Sequence, residues 1–240
     1  MLIAVAHGSR DPRSAATMSA VVAEIAAARP ELTVRLAFLD LNTPSVEQIV
    51  DEVAEQGYTH AVVVPLLLGS AFHARVDLPS LLASARTRHP QLQLTQADVL
   101  GTDARLITAV RTRALTAGAD PTDNRLGIAV AAVGSSSREA NARTTTVARV
   151  LTTGTAWHTT TCFATTEPSL TQAVSRLRAR GATRVLVAPW FLAPGLLTDR
   201  LCAAEPNLVH ANTIGAHPLL ADVILDRYAT AHTAALDLSA

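Results

Sequence analysis

Short apolar runs alternate along the chain with longer stretches in which apolar positions recur every three or four residues. The runs at 2–7, 33–40, 60–67 and 92–98 have the largely unbroken apolar character of parallel strands covered on both faces. The stretches between them, at 12–29, 45–56, 76–88 and 102–116, have helical periodicity. Asp11-Pro12 and Pro44-Ser45 read as helix starts and Gly57 as a helix stop. The series then repeats. Strands are predicted near 126–133, 157–163, 184–190 and 208–214, with helices near 137–152, 169–180, 196–204 and 217–233. Gly118 to Asn124 is dense in turn residues and free of apolar periodicity, which makes it the expected linker.

Strand–helix alternation predicts an α/β fold with parallel sheets and right-handed crossovers. The expected architecture is two similar domains, 1–117 and 125–240, each a four-stranded parallel sheet flanked by helices. They are expected to face each other across a cleft, with a single continuous sheet as the alternative. The halves also match residue by residue. Leu2–Ser9 returns as Gly127–Ser135 with one residue of slack, Ala61–Leu68 returns as Arg184–Leu192, and Pro44-Ser45 returns as Pro168-Ser169. In that register His7 faces Val133, Asp40 faces Ala164 and His73 faces Leu197. The apolar framework is kept while the polar trio is lost. One half is therefore expected to carry chemistry, and the other to serve as scaffold.

Composition narrows the possibilities. Hydrophobic residues make up 49% of the 240 and charged residues 17%, so the chain can bury a large core. Zero formal net charge argues against a nucleic-acid or membrane-surface role resting on bulk charge. All 20 basic residues are Arg, so recognition of carboxylates falls to guanidinium forks. Two cysteines, Cys162 and Cys202, make neither a disulfide framework nor a paired metal motif. The first residues run directly into a strand without a signal-peptide pattern, and no apolar run is long enough to span a bilayer. The expected location is the cytoplasm.

Ligands of open α/β sheets bind beyond the carboxyl ends of the strands. His7 ends the first predicted strand, Asp40 ends the second, and the segment Gly69–Arg75, with Ser70 and His73, follows the third. Three segments thus deliver ionisable groups to one edge. Two imidazoles and a carboxylate suit a divalent transition metal, and they suit proton acceptance equally well. Arg10, Arg13 and Arg75 flank the two histidines as candidate forks for an anionic ligand, with Ser9 and Ser70 as further contacts. Ser9 and the amides after Gly8 also open a helix, a ready anion site. His217 precedes Pro218 and is expected to serve the start of a helix. The sequence holds no Walker A motif, no Gly-x-Gly-x-x-Gly and no Gly-x-Ser-x-Gly, which removes support for nucleotide-driven, dinucleotide and α/β-hydrolase chemistry.

Three stretches carry a resemblance to a known family. They are Ala6-His7-Gly8-Ser9-Arg10-Asp11-Pro12; Ala37–Asp40 with Pro44-Ser45; and Val64–Leu68 leading to His73–Pro79. In order, spacing and duplication they resemble the sirohydrochlorin chelatases, the ATP-independent class II enzymes, in their long two-repeat form. The resemblance covers the whole chain. It implies two α/β domains with the tetrapyrrole between them. It also implies insertion of Fe²⁺ or Co²⁺ into sirohydrochlorin, in siroheme or cobalamin biosynthesis. The metal is then a substrate and no permanent cofactor is expected. His7 and His73 match the family's metal-binding histidines, and Asp40 stands where many members have Glu, with the same charge on a shorter reach. The chain lacks the His-rich stretch and cluster cysteines of some cobalt-specific members, which favours iron. A monomer is expected, with a weak homodimer as the alternative, and no nucleic-acid or membrane partner. Two other functions fit less well: a non-catalytic tetrapyrrole or metal carrier, and a histidine-phosphatase-like hydrolase. Against the hydrolase, Ala6 stands where an Arg would precede the phosphorylated histidine.

Overall fold

The computed structural model describes residues 1–69 and 76–237. Each apolar run forms a strand. In the first half these are β1 (Leu2–Ala6), β2 (Val34–Phe38), β3 (His60–Pro65) and β4 (Gln93–Gln96), interleaved with α1 (Pro12–Ala28), α2 (Val46–Glu55), α3 (Leu78–Arg88) and α4 (Ala104–Thr116). The second half has β5 (Leu126–Ala132), α5 (Arg138–Leu151), β6 (His158–Phe163), α6 (Leu170–Ala179), β7 (Arg184–Pro189), α7 (Leu196–Ala204), β8 (Val209–His210) and α8 (Pro218–Asp237). The strands make two all-parallel sheets, ordered β2-β1-β3-β4 and β6-β5-β7-β8. The single continuous sheet is not formed. β1 and β5, the most apolar runs, are each central and buried at every position, as parallel strands covered on both faces must be.

Local sequence accounts for the helix boundaries. Ser45 caps α2, its hydroxyl accepting from the Gln48 amide while the Gln48 side chain returns to the Ser45 amide. Ser169 and Gln172 repeat this capping box at α6. Each cap satisfies two amides that a helix start leaves without partners. In α2 the buried side chains Val46, Ile49, Val50 and Val53 fall on one stripe, which covers the sheet. Gly57 and Gly181 follow these helices with φ of +80° and +97°, which side-chain-bearing residues rarely adopt.

The compact units do not follow the expected boundary. One comprises Met1–Gly101 with Ala216–Ala240, the other Thr102–Gly215. The divisions at 1–117 and 125–240 follow the sequence repeat, but each half sends its last helix to the other unit. In the first unit α2 and α3 cover one face of the sheet. α8 packs on α1, β3 and β4. In the second, α6 and α7 cover one face, while α4 packs on β7 and α5. Both crossings follow a glycine of positive φ, Gly101 (+67°) and Gly215 (+65°). Arginine side chains fasten both transferred helices to carbonyls of their units. Arg227 donates to the carbonyls of Val99 and Leu100, both at 3.1 Å, and Arg113 donates to the Ile214 carbonyl at 3.2 and 2.8 Å. Helical periodicity shows that α4 and α8 each have an apolar face, but not which sheet that face covers. No helix among the described residues is long and apolar enough to cross a membrane.

A fragment ending at residue 117 keeps four strands but lacks α8, and with it the fully buried Leu220, Val223 and Ile224. At roughly 1.5–3 kcal/mol per buried side chain, this loss is of the order of a domain's entire stability, about 5–15 kcal/mol. Fragment 1–117 should show no cooperative thermal transition, and a peptide of residues 216–240 added in trans should restore one. A fragment melting like the full chain would refute the division. Separately, Ser45→Ala should lower stability by about 1 kcal/mol in urea titration; an unchanged midpoint would show that the cap contributes little.

Candidate active site at the carboxyl edge of the first sheet

In the order β2-β1-β3-β4 the chain leaves β1 for one neighbour and later returns to place β3 on its other side. β1 and β3 thus lead to strands on opposite sides, and the carboxyl edge at such a switch in strand order is the usual ligand position in open parallel sheets. His7 is the first residue beyond β1 and is exposed. Its backbone extends the β1–β2 pairing past the ends of both strands. The Leu39 amide donates to the Ala6 carbonyl at 2.9 Å, and the Asp40 amide donates to the His7 carbonyl at 3.0 Å. The sheet register therefore brings His7 and Asp40 together.

The next residue allows no side chain. Gly8 has φ of +96°, and a Cβ built on it would lie 1.8 Å from the Asp40 carbonyl oxygen. Asn42, absent from the candidates drawn from sequence, ties the two loops together. Its Oδ1 accepts from the Ser9 amide at 2.6 Å, and its own amide donates to the Asp40 carbonyl at 2.8 Å. Asp40 Oδ1 accepts from the Leu41 amide at 2.7 Å. The segment closes through a cis Thr43–Pro44 peptide and a bond from the Phe38 amide to the Pro44 carbonyl. An Asn four residues after a strand has no distinguishing pattern, so only the fold reveals its role.

The expected anion site at the start of α1 is filled by the chain itself. The Ser9 amide is held by Asn42 and the Asp11 amide by Ser9 Oγ at 3.0 Å. The Arg13 amide is held by the Asp11 carboxylate, also at 3.0 Å. Arg13 folds its guanidinium back onto that carboxylate, with Nε at 3.0 and 3.2 Å and Nη2 at 2.5 Å. The Arg13 side-chain bond, aided by its amide, holds the Asp11 carboxyl below the usual carboxylate range, so the helix start carries its own anion. Arg10 is exposed. Ser70, His73 and Arg75 lie outside the described residues. His217 serves a helix start as expected, its Nδ1 accepting from the Leu219 amide at 3.2 Å.

Neither cysteine is placed where its thiol would ionise readily. Burial pushes the Cys162 thiol up to about 12, and burial with the nearby Asp199 charge raises Cys202. Among the described residues no group of three or more His, Cys, Asp or Glu side chains is arranged to hold a metal. A groove of about 690 Å³ lies beside β6, bordered by Thr159, Thr161, Arg149, Arg176 and Arg180. Its lining contains no imidazole, carboxylate or thiol, so it offers none of the candidate chemistry.

The second unit repeats much of this loop's main-chain pattern. Gly134 has φ of +92°. The Ser137 amide donates to Ser135 Oγ at 3.1 Å, as Asp11 does to Ser9, but the Ser135 amide donates at 2.9 Å to Asn141 Oδ1 of the following α5, so the tie that Asn42 makes between two loops has no equivalent there. Val133 occupies the place of His7 and is 44% exposed. The partner of Asp40 is Thr165, not the expected Ala164, because the Thr165 amide is the one that donates to the Val133 carbonyl, at 3.0 Å. The register shifts because the loop from Phe163 to Pro168 is one residue shorter than that from Phe38 to Pro44. Thr165 also turns its hydroxyl onto the Val133 carbonyl at 2.8 Å. Leu197, the expected counterpart of His73, is half-buried and packs on the core of its unit.

Known proteins share this architecture. The chain is 28% identical to the sirohydrochlorin ferrochelatase of Bacillus subtilis over 94% of its own length and 89% of that protein's. It is 26% identical to a sirohydrochlorin cobaltochelatase of Priestia megaterium, over 93% and 77% of the two chains. The structure of SirB from Bacillus subtilis with Fe³⁺ superposes with a TM-score of 0.79 at 25% identity, over 95% of this chain and 93% of that one. SirB from Bacillus subtilis subspecies spizizenii in complex with cobalt gives 0.74, also at 25% identity, over 96% and 94%. The CbiX family model matches twice, at residues 1–117 and 127–231, once on each of the two repeats described above. By sequence and by fold, the chain belongs to the CbiX family.

Proposed function

We propose that this protein is a sirohydrochlorin chelatase, inserting Fe²⁺ or Co²⁺ into the macrocycle without nucleotide. One observation carries the assignment of the site. The backbone pins His7 against Asp40 at the carboxyl edge of the first sheet, while the same loop in the second unit bears Val133 and Thr165. The names of the relatives at 26–28% identity support the substrate and leave the metal open between iron and cobalt.

The reaction exchanges two pyrrole N–H protons for one divalent ion. His7 in its neutral form is a metal ligand of the borderline kind that suits iron and cobalt. In the proposed mechanism His7 and His73 hold the incoming ion over one face of the ring. Asp40 has committed Oδ1 to the Leu41 amide, so its second oxygen is the one placed to accept one of the two protons, the other passing to solvent water. Arg10, Arg13, Arg75, Ser9 and Ser70 are proposed contacts to the macrocycle's carboxylates, with Arg13 reaching them only as far as its bond to Asp11 allows. The protein's contribution is orientation, partial removal of the ion's water and a nearby base.

Insertion is followed by the visible spectrum of sirohydrochlorin with each ion supplied in turn, and the ratio of kcat/KM assigns the metal. A protein that binds the macrocycle without accelerating insertion would be a carrier. His7→Ala should lower kcat by at least about a hundredfold, the usual scale for loss of a positioned acid–base group, with an unchanged melting temperature. Near wild-type turnover would remove His7 from the site. Gly8→Ala should also reduce turnover sharply, because the new Cβ would force the Asp40 carbonyl away from His7. Wild-type activity in this variant would show that the His7–Asp40 approach is dispensable.

A further inference from the structure

The one-residue difference between the two copies of the loop produces a feature that only the first unit has. Leu41 has φ of +63°, and no other non-glycine residue among those described has a positive φ. Leucine is ill suited to that region, where its Cβ crowds the backbone; glycine and asparagine are the usual occupants. The conformation is held from both sides, by Asp40 Oδ1 on the Leu41 amide and by Asn42, which bonds the Asp40 carbonyl and the Ser9 amide. The side chain gains no core packing in return, because Leu41 is 50% exposed.

A second apolar residue is exposed at the same edge. In the first unit, Leu41 and Val76 (43% exposed) are the large hydrophobic residues that stand out in solvent among those described. Leu41 lies in the connection that follows β2, and Val76 in the connection that follows β3. These strands flank β1, which delivers His7. Exposed apolar side chains at a ligand edge mark contact with an apolar surface, and backbone strain kept at such a place marks a geometry that the ligand uses.

We propose that Leu41 is a substrate-binding residue whose side chain packs on the apolar face of the tetrapyrrole. This rests on the chelatase function proposed above. The ring is flat and apolar at its centre and charged at its rim. A leucine held out from the loop beside Asp40 meets the centre, leaving the rim to arginine.

The test measures the affinity of the full-length protein for metal-free sirohydrochlorin by equilibrium absorbance titration, together with kcat and KM for metal insertion. Leu41→Asn keeps a residue that tolerates positive φ but removes the apolar surface, Leu41→Gly removes both strain and side chain, and Leu41→Met keeps the surface. Asn and Gly should each weaken macrocycle binding about tenfold, the scale of one half-exposed leucine becoming covered. They should raise KM by a similar factor and leave the melting temperature equal or higher. Met should bind like wild type. Wild-type affinity in both Asn and Gly variants would overturn the proposal, and so would loss of kcat with unchanged affinity, which would assign Leu41 to holding Asp40. Either result leaves the chelatase function standing if His7→Ala is inactive. A wild-type protein that binds no sirohydrochlorin overturns both together.

Discussion

The hydrogen bond from the Asp40 amide to the His7 carbonyl is the constraint on which the site depends. It adds one rung to the β1–β2 ladder beyond the formal ends of both strands, so the two residues are positioned by the sheet and not by loop packing. A ladder is stiff because neighbouring rungs fix the register, and a slip of one residue would turn every side chain to the opposite face. The extra rung is possible only because residue 8 is glycine: the Asp40 carbonyl lies where a Cβ would stand. The Ser9–Asn42 bond then locks the two loops across the same gap. Chemistry at this edge therefore rests on main-chain geometry first and on side-chain identity second.

The second unit isolates what that geometry is for. It retains the glycine of positive φ, the cis proline and the capping box, while its Ser135 amide bonds a local asparagine of α5 in place of one in the facing loop. It lacks the imidazole and the carboxylate, and the Thr165 hydroxyl is spent on the Val133 carbonyl. The shared features are those that close a loop over the end of a parallel strand and start the next helix. They belong to the fold, whereas His7, Asp40 and the extra residue around Leu41 belong to the first unit alone.

Much of this was legible in the sequence, for physical reasons. Runs such as Leu2–Ala6 and Leu126–Ala132 can only be buried on both faces, and the Pro-Ser pairs at 44–45 and 168–169 mark helix starts through chemistry local to the residue. The edge location of His7 and Asp40 followed from strand ends alone. Three things were not legible. The pairing of Asp40 with Thr165 depends on a loop shortened between two landmarks that still align. Asn42 acts through a partner 33 residues away, which no local pattern reports. The exchange of α4 and α8 was hidden because an amphipathic helix reveals that it has an apolar face, not which sheet will cover it.

That exchange supplies a reason for a half without counterparts of His7 and His73 to persist in the chain. α8 is encoded at the end of the second repeat but completes the layers around the sheet that bears His7 and Asp40. Leu220, Val223 and Ile224 bury their side chains completely, and Arg227 satisfies two carbonyls in the connection after β4. The second unit takes α4 in the same manner, with Arg113 closing the connection after β8. Neither repeat encodes all of its own core, so losing the second repeat would open the first unit along β3 and β4. The second repeat is then a structural requirement of the first unit, and under the proposed function its surface at Val133 is released from chemistry without being released from the fold.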